Sequence, residues 1–167
     1  FTLLAKSPFQ ADEVEGIEVE ANKAQYTNLV HTNPQNALDA KFSMEFAMAA
    51  AVIARRCTRA EFTSDFVQRA DVRALMAKTR RVFIDTQGYQ GDGVIVHLKG
   101  GRRLEQRFTF PLGDARRPAP PEAFWTKFED CVEGAFSPPE DRRMFEQLQS
   151  IETLASPADL PVADALD

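Results

Sequence analysis

GVIVHLKGGRRLEQRFTF, residues 93–110, decides the fold. Val94, Val96 and Leu98 alternate with Ile95 and His97. After two glycines, Leu104, Phe108 and Phe110 alternate with Arg103, Glu105 and Arg107. A period of two marks strands with one buried face, so the stretch reads as a β-hairpin turning at Gly100-Gly101. A two-residue loop would set Leu98 opposite Arg103 and mix the faces. A three-residue loop with a glycine bulge keeps them apart, and on this reading Leu98 faces Leu104 and Val94 faces Phe108.

Upstream, Val82 to Ile84 supplies a third strand. Before it, Val72, Leu75 and Met76 share one face of a helix that Asp71 can cap, and Thr58-Arg59-Ala60-Glu61 fits a capping box opening a helix that buries Phe62 and Phe66. Further back lies ALDAKFSMEFAMAAAVIARR, residues 37–56. Its almost uninterrupted apolar run, Met44 to Ala54, is too short to span a bilayer and apolar on every side. It reads as a core helix with Ser43 as N-cap. Residues Asn22 to Ala40 are polar, and HTNPQN (31–36) has no period, so a long loop is expected, of a length that often carries function. Gly16 to Ala21 alternates Ile17, Val19 and Ala21 with Glu18 and Glu20, a first strand, and Ser7-Pro8 can start a short helix.

Downstream, Pro120-Pro121 opens a helix with Phe124, Phe128, Cys131 and Val132 at helical spacing and Gly134 as its stop. Ser137-Pro-Pro-Glu140 is a capping box for another, with Met144, Leu148 and Ile151 inward. The order of elements predicts an α+β fold: a two-layer sandwich with a sheet of about four strands, largely antiparallel, and helices packed on one face. Parallel pairing of the first strand stays open, because helices lie in its crossover. The domain is expected over residues 1–155, followed by an acidic, proline-broken tail at 156–167.

Composition narrows the partners. The 167 residues are 44% hydrophobic and include 13 phenylalanines, enough for one sizeable core. With 25 acidic and 20 basic residues the net charge is −5, and no basic stripe interleaves with aromatics. Nucleic acid and membrane are therefore not expected as partners. Cys57 and Cys131 lack CxxC spacing and read as buried thiols in a reducing, cytoplasmic setting, with no metal and no cofactor implied. The chain opens FTLLAKSPF, without an initiator methionine, which suggests a domain cut from a longer protein.

No glycine-rich phosphate loop, HExxH or GxSxG is present. Gly88 to Gly93 (GYQGDG) precedes a strand and reads as a loop. His97 lies on the less apolar face of its strand, where a structural or solvated role is favoured, while His31 sits in the polar loop, where a functional role is easier to place. Glu18 and Glu20 read as a solvated strand face. At the start of the apolar helix, free amides and the positive end of the helix dipole favour an anion, and Lys41 is two residues upstream of Ser43. On the residues alone two readings stand: a carboxylate binds there, or Ser43 is only a cap and Lys41 a solvated flank.

The succession P-x-x-A-L-x-A-K-F-S-M-E-F-x-x-A (34–49) resembles the C-terminal domain of the MmgE/PrpD family, which includes 2-methylcitrate dehydratase, cis-aconitate decarboxylase and iminodisuccinate epimerase. DVRALMAKTRRVFID (71–85), VIVHLKGGRRL (94–104) and PPEAFWTKFEDC (120–131) resemble later blocks of that family in the same order. The resemblance implies a cofactor-independent lyase acting on a small di- or tricarboxylate by proton transfer next to a carboxylate, as a homodimer. It also implies a larger helical N-terminal domain, absent from this chain, with the active site between the two domains. That domain and the segment just before this chain carry most of the acid/base residues, so no catalytic residue is assigned here and no turnover is expected from this chain alone. The substrate-binding candidates are Lys41, Ser43, Phe46 and His31. Phe46 stands where the family often has tyrosine, which removes a phenolic donor. A non-catalytic module that binds anions or dimerises is the alternative.

Overall fold

The computed structural model describes residues 1–84 and 91–160. The chain divides into two compact units, Phe1–Pro111 and Leu112–Asp167. The first is an α+β unit around four strands: β1 (Val14–Ala21), β2 (Thr79–Phe83), β3 (Asp92–Leu98) and β4 (Arg102–Phe108). They pair in the order β2-β1-β3-β4, with β1 and β2 parallel and the other pairs antiparallel. The helices α1 (Thr2–Lys6), α2 (Lys23–Tyr26), α3 (Ala37–Ala40), α4 (Met44–Ile53), α5 (Ser64–Gln68) and α6 (Ala70–Ala77) belong to the same unit.

Alternation sorts most of the sheet as expected, but in β3 Ile95, on the opposite face, is buried as well and Val94 only partly so. Ile17, Val19, Val96 and Leu98 are buried in the core with Phe46, Val52, Val67, Val72, Leu75 and Met76 from the helices. Burying an aliphatic or aromatic side chain contributes about 1.5–3 kcal/mol, so this one cluster outweighs any single polar contact in the unit. The hairpin loop does have three residues, Lys99 to Gly101, and both glycines take positive φ (75° and 76°). Its register differs from the expectation: Leu98 faces Arg102, Val96 faces Leu104 and Asp92 faces Phe108, without a break. A three-residue loop requires that pairing. The expected pairs were displaced by two residues, which leaves every side chain on its intended face. The irregularity lies instead in β1 against β3, between Val14 and Gly16.

Several local expectations are corrected. Ser7 ends a helix instead of starting one: its N–H closes the last turn of α1 on Leu3, and Pro8 disfavours helical geometry for the residue before it. The capping box at Thr58–Glu61 forms but closes only a 3₁₀ turn, and Thr63 then caps α5. Arg69, not Asp71, is the N-cap of α6, while the Asp71 carboxylate pairs with Arg69 and accepts from the Val72 amide. The stretch 22–40 contains α2 and α3. Tyr26 anchors α2 by donating its hydroxyl to the Val19 carbonyl (2.5 Å), and Asn36 caps α3 by accepting from the Asp39 amide (3.0 Å).

In the second unit, α7 (Pro121–Val132) and α8 (Pro138–Gln149) start as expected, α8 with its Ser137–Glu140 capping box, and Gly134 follows α7 with φ 81°. Their shared aromatics are Trp125, Phe128 and Phe145, with Arg142 over the indole. Phe124 and Ile151 are exposed, as is Cys131, against the expectation of inward positions. Cys57 is half-buried, and burial pushes its thiol up. Of the loop expected at 88–93, Asp92 and Gly93 belong to β3, while residues 88–90 and the last seven residues of the acidic tail lie outside the described residues.

Candidate site at the start of α4

A continuous turn carries the chain from α3 into α4. Lys41, Phe42 and Ser43 donate their amides to Leu38, Asp39 and Ala40, and the Ser43 hydroxyl then accepts from the Phe46 amide at 3.2 Å. Ser43 is therefore a cap in fact, and it is 2% exposed. Phe46 is fully buried, its ring against Phe62 (5.2 Å) and Phe66 (6.0 Å). Lys41 is exposed. His31 is half-buried, and its backbone amide donates to the Phe42 carbonyl at 3.1 Å, so the loop is fastened to the same turn. Its Nε2 lies 3.8 Å from Asp39.

Two charged residues that the sequence reading did not single out complete the arrangement. Glu45, in the first turn of α4, receives both Nε (2.8 Å) and a terminal nitrogen (2.9 Å) of Arg81 from β2. Their side chains are 5% and 13% exposed. Arg81 also donates to the His31 carbonyl (3.4 Å) and lies 5.1 Å over the Tyr26 ring. Burial pushes the Tyr26 hydroxyl up to about 12, so near neutrality it is a hydrogen-bond donor and not a base. A fork of this kind fixes orientation as well as charge. One carboxylate in an otherwise apolar helix was a visible signal that some cation had to meet it. Which cation met it depends on the packing of β2.

The loop before α3 is held as firmly. Pro34 is fully buried, Arg73 of α6 donates to its carbonyl (2.7 Å), and Gln68 of α5 donates to the Gln35 carbonyl (2.6 Å). The result is a rigid floor of Ser43, Glu45, Arg81 and Tyr26 beneath two outward groups, Lys41 and His31. Chemically, that is an ammonium able to meet an anion and an imidazole able to donate or accept a hydrogen bond. Three of the four sequence candidates are drawn to one turn and its fastened loop, while Phe46 lies in the core below. Among the described residues no group of three or more His, Cys, Asp or Glu side chains is placed to hold a metal ion, and no helix is long and apolar enough to cross a membrane.

No curated protein matches the chain. A family model, that of the MmgE/PrpD C-terminal domain, matches residues 1–153.

Proposed function

Because the chain belongs to the MmgE/PrpD C-terminal domain family, we propose that it forms one wall of the active site of a lyase. The parent enzyme acts on a small di- or tricarboxylate by proton transfer next to a carboxylate. The observation that carries this reading is the exposed Lys41, mounted on the turn to which the His31 amide is fastened, with Glu45 neutralised by Arg81 and Asp39 beside His31. An incoming carboxylate then meets the Lys41 ammonium on an exposed turn. Lys41 binds it, His31 lies within the same wall, and Ser43 and Phe46 hold the turn from below.

The partner wall is a larger helical domain of the same protein, which supplies the acid and base. The parent works in the cytoplasm as a cofactor-independent homodimer. A second reading is favoured by one surface: Val30, Leu38 and Phe42 are 65%, 65% and 45% exposed. On the enzyme reading they pack against the helical domain. On the alternative they join two copies of a non-catalytic module.

Turnover of 2-methylcitrate, cis-aconitate and related acids by the full-length parent, followed by proton NMR in deuterated water, decides between them. Loss of the signal next to a carboxylate is expected, and Lys41→Ala should lower kcat/KM by about tenfold to hundredfold, a loss of about 1.4–2.7 kcal/mol. A folded parent silent on the whole panel would overturn the enzyme reading.

A further inference from the structure

On the sheet, Gly16, Glu18, His97 and Arg80 occupy paired positions on one face: Gly16 opposite His97 and Glu18 opposite Arg80. Together with Glu15 and Lys78 they line a cavity of about 430 Å³, within the range of small-ligand sites. The break in register between Val14 and Gly16 falls at its wall, and such irregularities recur where a strand is re-aimed beside a site. Gly16 leaves the space open. A Cβ built there would stand 3.8 Å from His97 and 3.9 Å from the Lys78 carbonyl, ordinary contact distances, so the backbone tolerates a side chain that would fill the cavity.

We propose that this cavity is an oxyanion-binding site, taking a phosphate or carboxylate group among Arg80, His97 and Lys78. Glu18 Oε1 receives both Arg80 and His97 Nε2, each at 2.6 Å. Arg80 is 71% exposed and uses one terminal nitrogen in that contact, leaving its other N–H groups for a ligand. Lys78 uses one hydrogen on the Val14 carbonyl (2.6 Å) and keeps two more. The charges decide the sign of the ligand. With His97 protonated, three cations face Glu15 and Glu18, a surplus of one positive charge. With His97 neutral the surplus vanishes. Arg103, opposite His97 on β4, is paired with Glu105 and changes neither sum. An anion therefore binds more tightly to the form of the protein whose His97 carries a proton, and the proton more tightly to the anion-bound form. The site is independent of the start of α4, and either can fail without the other.

The chain has two histidines, so His97 can be followed by proton NMR and assigned with His97→Gln. The experiment titrates it between about pH 5 and pH 8.5 with inorganic phosphate, with citrate, and with chloride at matched ionic strength. The expected result is an upward move of the His97 midpoint of about half a unit to one unit with phosphate or citrate, a roughly threefold to tenfold preference of the ligand for the protonated form. Movement with phosphate alone assigns a phosphate group, and movement with citrate alone assigns a polycarboxylate. Gly16→Leu should abolish it by filling the cavity, and Arg80→Gln should abolish it with the cavity intact, each checked by thermal melting. A midpoint unmoved by both anions, an equal move with chloride, or a move that persists in whichever variant stays folded would overturn the site.

Discussion

Arg81 and Glu45 meet where neither charge is well hydrated, and each is the main partner of the other. Removing one leaves a buried charge uncompensated, so Arg81→Ala or Glu45→Ala should each cost about 3–5 kcal/mol. Replacing both with methionine should cost much less, since the pair's attraction largely offsets its desolvation. Urea unfolding of the two single variants and the double variant measures this, and additive losses would contradict it. Glu61 is a second buried carboxylate, 2% exposed. Burial pushes its carboxyl up, but the Thr58 amide, Arg56 and the Thr58 hydroxyl together hold it below the usual carboxylate range. A depressed folded value means that the unfolded chain binds the proton first. The Glu61 contribution is therefore complete above the ordinary value of 4.5 and is lost as pH falls below it. The stability of the protein should drop from about pH 5 downward, and less steeply in Glu61→Gln, as read from urea midpoints across that range.

At the scale of elements, the glycines Gly91 and Gly100 near the two ends of β3 differ in how much room a side chain would have. Gly100, in the hairpin loop, has φ 75° with nothing within 4 Å of a Cβ placed there. Alanine at that position meets only the backbone penalty of the left-handed region, about 1 kcal/mol. Gly91, just before β3, has φ 89°, and its Cβ would lie 2.3 Å from the Phe108 carbonyl oxygen. Gly91→Ala must therefore displace the end of β4 as well. It should lower the melting temperature distinctly more than Gly100→Ala, and equal losses would show that β4 yields freely there. The strands and α4 were legible in the sequence because burial repeats with the period of the element. The helices α2 and α3 were not, since each is only four residues long and is held by side-chain contacts such as Tyr26 to Val19 and Asn36 to Asp39.

For the molecule as a whole, the two units differ in what holds them. The large buried cluster lies entirely within Phe1–Pro111, whereas α7 and α8 contain no fully buried residue. A chain ending at Pro111 should keep a cooperative thermal transition, while Leu112–Asp167 alone should unfold gradually, because a segment with so little buried apolar surface cannot offset its ordering entropy. Circular dichroism melts of the two pieces check both statements.

What the sequence by itself determined is local: alternating strands, an apolar helix capped by Ser43, capping boxes at Thr58 and Ser137, and the family resemblance borne by residues 34–49 and the blocks that follow them. These are properties of neighbours along the chain, where spacing dictates which faces can be buried. Tertiary structure decided the meetings of distant residues: Glu45 with Arg81, the fastening of His31 to Phe42, and the cavity where Gly16 faces His97. Periodicity says that a face is buried. Only the packing of one element on another says which groups meet there, because many pairings satisfy the same pattern and the best-packed one wins.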